Sequence, residues 1–79
     1  MALQKAINTA IAESGCALKC THSPVNEDRL YIFFTVWGHE FRIELSGLEI
    51  LQNNTEEQLV NLIKDRIRDV TVIKVDKWS

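Results

Sequence analysis

Two alternating apolar segments joined by one glycine-containing dipeptide constrain the fold of this chain most strongly. Residues 30–37 and 40–45 are rich in β-branched and aromatic side chains, and they flank Gly38-His39. Such segments are typical of strands. A Gly-X pair suits a type II′ turn, because glycine accepts the positive φ of the first central position. The sequence therefore predicts an antiparallel hairpin whose register is set by this turn.

The predicted hairpin has two chemically different faces. Counting outward from the turn gives the pairs Trp37–Glu40, Val36–Phe41, Thr35–Arg42, Phe34–Ile43, Phe33–Glu44 and Ile32–Leu45. One face is then wholly apolar, with Ile32, Phe34, Val36, Phe41, Ile43 and Leu45. The opposite face is aromatic on one strand and charged on the next, with Tyr31, Phe33, Thr35 and Trp37 beside Glu40, Arg42 and Glu44. We expect the apolar face to meet the core.

Helical periodicity appears on both sides of this hairpin. Residues 2–14 place Leu3, Ile7, Ala10, Ile11 and Ser14 on one helical face, and Gly15 is positioned to end that helix. A second helix is predicted to begin at Thr55, which forms a capping box with Gln58. Its buried stripe comprises Leu59, Leu62, Ile63, Ile67 and Val70. Acidic Glu56 and Glu57 lie in its first turn, and Arg66 and Arg68 are predicted in its last, as the helix dipole favours.

The remaining segments are shorter. Residues 16–22 alternate, with Cys16, Leu18, Cys20 and His22 on one side, which predicts a half-buried strand. Residues 23–29 contain the single proline, Pro24, and have the composition of a surface turn. Residues 48–54 are expected to be irregular or briefly extended, and the β-branched alternation of residues 71–78 predicts a final strand.

The predicted element order is therefore α-β-β-β-α-β, an α+β fold. It consists of an antiparallel three-stranded meander with a C-terminal edge strand added, and both helices pack on its apolar face. At 79 residues the chain is expected to form one domain over residues 1–79. A core of this size supplies little net stability, which favours support from a dimer.

Charge and hydropathy exclude several classes of protein. The formal net charge is -2, and its acidic and basic residues are interspersed, which gives no electrostatic indication of a partner. The longest apolar stretch, residues 30–37, has eight residues including one threonine. That is far short of the roughly twenty that a membrane helix needs. The start of the chain lacks the pattern of a secretory signal, so the cytoplasm is the expected compartment.

Catalytic and metal chemistry find little support in the sequence. Cys16, Cys20, His22 and His39 are the only candidates for a transition-metal site, and their Cys-x3-Cys-x-His spacing is not that of structural zinc. We expect reduced thiols, because residues four apart on one strand lie roughly 13 Å from each other. The three glycines form no phosphate-binding loop. No catalytic residue, metal or cofactor is predicted, and the chain is expected not to be an enzyme.

Nucleic-acid binding is the main alternative to protein binding. The core order α-β-β-β-α is similar to that of double-stranded RNA-binding domains, in which lysines at the start of the second helix meet phosphates. This chain has Asn54, Thr55, Glu56 and Glu57 there, so the similarity concerns element order alone. Base stacking on the aromatic face is opposed by the neighbouring glutamates. A small enzyme with sites between subunits is a third alternative.

The aromatic face is the feature most indicative of function, because Tyr, Phe and Trp with a nearby Arg are typical of interface hot spots. The predicted partner-binding residues are Tyr31, Phe33, Trp37, Arg42, Glu40, Glu44 and Trp78. Structural roles are equally compatible: a C-terminal segment ending in Trp78 covers the face, or Arg42 stacks on Trp37 and Phe33. We expect a non-enzymatic protein-binding module that engages another protein through this face or through the edge of the last strand. We expect it to self-associate as a homodimer and to serve as an inhibitor, adaptor or assembly factor. Small domains without motifs are frequent among phage-encoded regulators of host proteins, an association by size alone.

Overall fold

A computed structural model describes the backbone of residues 3–78 and the side chains of residues 3–71. The elements in chain order are α1 (Leu3–Glu13), β1 (Ala17–His22), β2 (Arg29–Val36), β3 (His39–Ser46), α2 (Gly47–Gln52) and α3 (Glu56–Trp78). The three strands form one antiparallel sheet in the order β1-β2-β3, so the predicted α+β class fits. Among the residues described, no helix combines the length and hydropathy needed to cross a bilayer.

The core lies between one face of the sheet and the two long helices. Its central cross-strand contact is Phe34 of β2 with Phe41 of β3, whose rings stack with centroids 5.6 Å apart. The buried side chains come from α1, β2, β3 and α3: Ala6, Ile7, Ala10, Ile11, Ile32, Phe34, Phe41, Ile43, Leu45, Leu59, Val60, Ile63 and Ile67. The predicted apolar hairpin face is therefore the core face, with Val36 only half-buried at its end.

The hairpin turn differs from the predicted one by a single residue. Its central residues are Trp37 and Gly38, with φ of 52° and 80°, rather than Gly38 and His39. Two successive positive φ values define a type I′ turn, whose twist matches that of the flanking strands. Val36 therefore pairs with His39 and Phe33 with Arg42, and the predicted pairs are wrong by two positions along β3. Because side chains alternate with a period of two, this shift leaves every residue of β2 and β3 on its predicted face.

Helix α1 ends as predicted at Gly15, which has a φ of 70°. The Gly15 N–H donates to the Ala12 carbonyl at 3.2 Å, and the Cys16 N–H donates to the Ile11 carbonyl at 3.1 Å. These two bonds form a Schellman motif, which satisfies carbonyls at the helix end. The motif turns the chain directly into β1.

We predict that Gly15→Ala lowers the free energy of unfolding by about 1–2 kcal/mol, because an L side chain is strained at positive φ. A Cβ at Gly15 would meet no atom within 4 Å, so steric overlap with neighbours does not contribute. Urea denaturation measures the change. Gly15→Asn is the matched control and should lose less unfolding free energy than Gly15→Ala, because asparagine tolerates the left-handed conformation. Equal stability of all three proteins would contradict this assignment of the helix end.

A β-bulge in β1 changes the predicted faces of that strand. Leu18 pairs with Phe34 and Cys20 pairs with Phe33, so Lys19 is an extra residue with no partner in the register. The alternation reverses there, as an inserted residue requires. The prediction that Cys20 and His22 share the core face with Leu18 is wrong, and both lie on the opposite face of the sheet.

Residues that were expected to be irregular form the short helix α2. The Ser46 hydroxyl accepts a hydrogen bond from the Glu49 N–H at 3.1 Å, and the Glu49 carboxylate accepts one from the Ser46 N–H at 3.0 Å. This is a complete capping box, and its Ser-x-x-Glu pattern is visible in the sequence. The prediction of an irregular segment is therefore wrong for residues 48–52, whereas residues 53 and 54 lie outside helices and strands as predicted.

Arg66 joins three elements. Its guanidinium pairs with Glu49 of α2 and donates to the Glu44 carbonyl of β3 at 3.2 Å. Hydrogen bonding from the Ser46 backbone, followed by that from Arg66, holds the pKa of Glu49 below its ordinary value. Arg66 and Arg68 were predicted in the last turn of their helix, but they lie in the middle of α3.

The Glu49 contacts predict a pH dependence of stability. A carboxylate whose pKa is lowered by folding contributes stability above its unfolded pKa, and this contribution is lost as pH falls through the folded value. Between about pH 7 and about pH 3, the parental chain should therefore lose more unfolding free energy than Glu49→Gln. Urea denaturation at both pH values measures this difference. Glu57→Gln, an exposed glutamate outside the α2 cap, is the control, and an equal pH response of Glu49→Gln and the parental chain would refute the prediction.

Helix α3 begins with the predicted capping box: Gln58 N–H donates to the Thr55 hydroxyl at 3.2 Å, and Thr55 N–H donates to the Gln58 side chain at 3.4 Å. Its predicted stripe faces the core, with Leu59, Ile63 and Ile67 buried. Val60, which was not predicted, is also buried. Completely buried Ala6 and Ala10 lie on the packed face of α1, where their small side chains permit close approach of the two helices.

The predicted C-terminal edge strand is not confirmed. The backbone of residues 71–78 is assigned to α3, whose range extends to Trp78, so the observed order is α-β-β-β-α-α. No glycine, proline or asparagine separates Val70 from this segment, and extending an existing helix costs less than starting a new strand. The Thr71 hydroxyl bonds to the Ile67 and Arg68 carbonyls within the helix. Side chains beyond Thr71 lie outside the described part of the structure.

Candidate functional site

The sheet face opposite the core, here called the outer face, contains most of the predicted partner-binding residues. In register it has three cross-sheet rows: Ala17–Thr35–Glu40, Cys20–Phe33–Arg42 and His22–Tyr31–Glu44. Lys19 also extends over this face, since it pairs with Glu40. In the described part of the chain both long helices pack on the other side of the sheet. Tyr31, Phe33 and Thr35 on the central strand are accordingly half-buried, and the flanking residues are exposed.

The aromatic residues of β2 form the centre of the outer face. Phe33 lies between Cys20 and Arg42, and Tyr31 lies between His22 and Glu44. The Arg42 guanidinium sits over the Tyr31 ring, 5.5 Å from its centroid, which is within cation–π distance. The sequence-based alternative had Arg42 stacking on Trp37 and Phe33, so the stacking partner is different. Arg42 and Tyr31 together form an ordered, amphipathic surface beside Phe33.

Ion pairs and hydrogen bonds surround this aromatic centre. Lys19 of β1 pairs with Glu40 of β3 across Thr35, and Arg29 pairs with Glu44 at 3.0 Å. Hydrogen bonding to these glutamates raises the pKa of both basic groups. The pairs are exposed, so each contributes little to stability. Each pair is electrically neutral, and Arg42 adds a positive charge beside them.

Tyr31 has a second fixed contact. Its hydroxyl donates to the Glu27 carboxylate at 2.8 Å, and this hydrogen bond raises the pKa of the phenol. The bond connects the outer face to the loop between β1 and β2. It orients the ring beneath Arg42, and the tyrosine is therefore held in one arrangement at one end of the face.

Trp37 was predicted in the aromatic row opposite Glu40, but it lies in the hairpin turn. Its side chain is 93% exposed, and its φ is 52°. The first central position of a type I′ turn favours asparagine, aspartate or glycine, and a bulky residue there is strained. An indole at this position is therefore unfavourable for two reasons: its backbone conformation is strained, and its apolar side chain is exposed to water. Trp37 lies beyond Thr35 and Glu40, at one end of the outer face.

We predict that Trp37→Asn leaves the free energy of unfolding unchanged or raises it by up to about 1 kcal/mol, because asparagine is favoured at this turn position. Trp37→Val is the control and should destabilise by about 1–2 kcal/mol, since a β-branched residue tolerates positive φ poorly. Urea denaturation of the three proteins measures both changes. A loss of more than 1 kcal/mol in Trp37→Asn would show that the indole supports the fold.

The cysteines lie in different environments. Both thiols are free; Cys16 is half-buried and Cys20 is exposed on the outer face. The Cys16 thiol donates to the Ser14 carbonyl at 3.5 Å, and burial raises its pKa, which lowers the thiolate fraction at neutral pH. Cys16 packs against the core, so the structure does not bring the two thiols together. Within the described residues, no group of three or more His, Cys, Asp or Glu side chains is arranged to hold a metal ion.

Two further surface features were missed in the sequence. Leu48 and Leu51 of α2 are 60% and 69% exposed, one helical turn apart, and Val25 in the β1–β2 loop is fully exposed. The Ser46 capping box was the signal that predicts the helix carrying these leucines. A groove of about 440 Å³ also runs between the end of α1 and α3, crossed by the Lys64–Glu13 ion pair at 3.1 Å. Its polar lining does not converge on one point.

The structure thus brings Tyr31, Phe33, Arg42, Glu40 and Glu44 together on one face, with Trp37 at its end. The side chain of Trp78, the remaining predicted partner-binding residue, lies outside the described residues. Comparison of the chain with protein-family models, curated proteins and solved structures finds no match in any of the three.

Proposed function

We propose that this chain is a small non-enzymatic protein-interaction module. It binds a protein partner through Trp37 and the outer face, and it self-associates as a homodimer. Inhibitor, adaptor and assembly factor are the roles compatible with such a module. The observation that carries the proposal is the exposed indole at a turn position where the backbone disfavours it.

Trp37 is informative because its placement is unfavourable for the isolated chain. Buried tryptophans are ordinary core residues, whereas this side chain is almost entirely in water. Tryptophan is also the residue type most enriched among the dominant contacts of protein interfaces. Binding in an apolar pocket of a partner would bury the indole and offset the cost of its exposure.

The outer face supports the same function. Tyr31, Phe33 and Arg42 combine half-buried rings with an ordered guanidinium, and such residues are enriched at interfaces. Charged pairs flank them, as in the polar rim of a binding surface. Two rigid strands position these groups, so little conformational entropy is lost on binding.

Nucleic-acid binding receives less support from the same contacts. Lys19 and Arg29 are each paired with a glutamate, and Arg42 lies between Glu40 and Glu44 on β3, so positive charge on the outer face is interspersed with negative charge that repels phosphates. The first turn of α3 carries Glu56 and Glu57, which repel a phosphate backbone. The described residues provide no catalytic arrangement of side chains that would support the third alternative, a small oligomeric enzyme.

The proposed function predicts that Trp37→Asn and Phe33→Ser each lose protein partners. The immobilised chain would be exposed to lysate of the organism that encodes it, and the captured proteins identified by mass spectrometry. The captured amount of each protein that the parental chain binds should fall at least tenfold with either variant, because each variant removes an apolar contact at the proposed interface. Leu51→Ser, which removes an exposed leucine from α2, is the matched control and should retain them.

Two results would contradict this proposal. Capture that is unchanged in both variants, with fold retained by circular dichroism, would remove Trp37 and the outer face from the interface. Capture of RNA or DNA that weakens steeply with salt would instead favour the nucleic-acid alternative.

A further inference from the structure

We propose that the outer face is self-complementary, and that two copies stack face to face about a twofold axis parallel to the strands and running along β2. This inference rests on the proposed function and specifies its partner as a second copy of this chain. In this arrangement β1 of one copy lies across from β3 of the other. The cross-sheet register and the distribution of charge determine the geometry.

The charges of the two outer strands are complementary under this axis. The β1 row carries Lys19 and His22, whereas the β3 row carries Glu40 and Glu44 with Arg42 between them, and Arg42 faces Cys20 of the second copy. Lys19, which pairs with Glu40 of its own copy, then also lies near Glu40 of the second copy. His22 and Glu44 occupy the same cross-sheet row, so His22 lies against Glu44 of the second copy and can donate a hydrogen bond to it. Each contact occurs twice, as twofold symmetry requires.

The centre of the face is apolar and lies on the axis. Phe33 meets Phe33 of the second copy, and Tyr31 meets Tyr31, since residues of the middle strand map onto themselves. Aromatic side chains stacked between two sheets bury their remaining exposed area. Contact between the two copies would thus cover the half-buried rings that the helices leave open.

Other twofold arrangements are less favourable. An axis across the strands through Phe33 places Arg42 against Arg42 and, twice, Glu40 against Glu44 of the second copy, all of them like charges. The axis along β2 brings together one like pair of outer-face residues, Arg29 and Arg29 of the second copy, and each Arg29 is paired with Glu44 of its own copy. Pairing of two β3 edges is obstructed because the Glu44 carbonyl already accepts a hydrogen bond from Arg66. Pairing of two β1 edges is disfavoured because the bulge at Lys19 interrupts the regular pattern of backbone hydrogen bonds between strands.

The size of the face sets the expected strength. Three strands of about seven residues cover roughly 14 by 20 Å. Treated as flat, this face gives a buried area on the order of 600 Å² when both copies are counted. Stable interfaces bury about 1,200 Å² or more. The dimer should therefore be weak and form only at high protein concentration.

Charge reversal with complementation tests the arrangement. Sedimentation equilibrium would be measured from about 10 μM to about 1 mM at low salt, for the parental chain, Lys19→Glu, Glu40→Lys and an equimolar mixture of the two variants. The parental chain should dimerise. Each variant alone should bind at least tenfold more weakly, because positions 19 and 40 then carry like charges across the interface. The mixture should recover dimers, since both cross-copy pairs are again of opposite sign.

Net charge alone predicts a different pattern. Lys19→Glu changes the formal charge from -2 to -4, and Glu40→Lys changes it from -2 to 0. If overall repulsion governed association, Glu40→Lys would dimerise at least as well as the parental chain. Lys5→Glu on α1 and Glu57→Lys on α3 make the same net changes away from the outer face, and both should retain the dimer.

Three results would overturn the inference. A parental chain that stays monomeric at every concentration would exclude the dimer. Dimerisation of Glu40→Lys at parental strength, or a mixture no stronger than its components, would exclude this twofold geometry. A monomeric chain that still captures another protein through Phe33 and Trp37 would overturn the dimer and leave standing the other part of the proposed function, the binding of a different protein.

Discussion

The stacked contact between Phe34 and Phe41 is the interaction on which the rest of the architecture depends. It joins β2 to β3 in register, and it forms the part of the sheet surface on which the buried residues of the helices pack. Once these rings face the core, alternation sends Phe33 and Arg42 to the other side of the same strands. The composition of the outer face is thus a geometric consequence of the core, and its exposure follows from both long helices packing on one side.

The two edges of the sheet differ in what prevents them from pairing with further strands. At β3, Arg66 reaches from α3 to the Glu44 carbonyl and to Glu49, so one side chain satisfies an open strand group and anchors α2. At β1, the bulge at Lys19 interrupts the regular pairing pattern. Both devices discourage addition of further strands. Pairing of further strands with either edge is therefore disfavoured.

Features with a fixed periodicity or a local cap could be predicted from the sequence. The core and outer faces of the hairpin, the end of α1 at Gly15 and the start of α3 at Thr55 all follow from patterns within a few residues. The turn was misplaced because Gly38 fits either central position of a two-residue turn. The bulge at Lys19 has no glycine or proline to mark it. The β-branched residues after Val70 alternate as in a strand, but the helix continues through them because no glycine, proline or asparagine ends it.

The composition of the outer face was predicted to the same extent, whereas its role in binding stays a prediction. Tyr31, Phe33, Arg42, Glu40 and Glu44 were assigned to one face by alternation, which does not depend on the register error. Trp37 was assigned wrongly because its location depends on the turn itself. His22 and Cys20 were not expected on that face, because a bulge changes every position after it.

The small size of the chain makes the location of Trp37 more significant. A domain of 79 residues has about 4–12 kcal/mol of stability in total, and a strained turn position costs about 1–2 kcal/mol of it. Asparagine before Gly38 would remove that strain without touching the core. An exposed indole at this position therefore costs the chain a measurable fraction of its stability. The described core residues come from the sheet and two helices, so the indole adds nothing to the core, and only its burial against a further surface would offset the cost of its exposure.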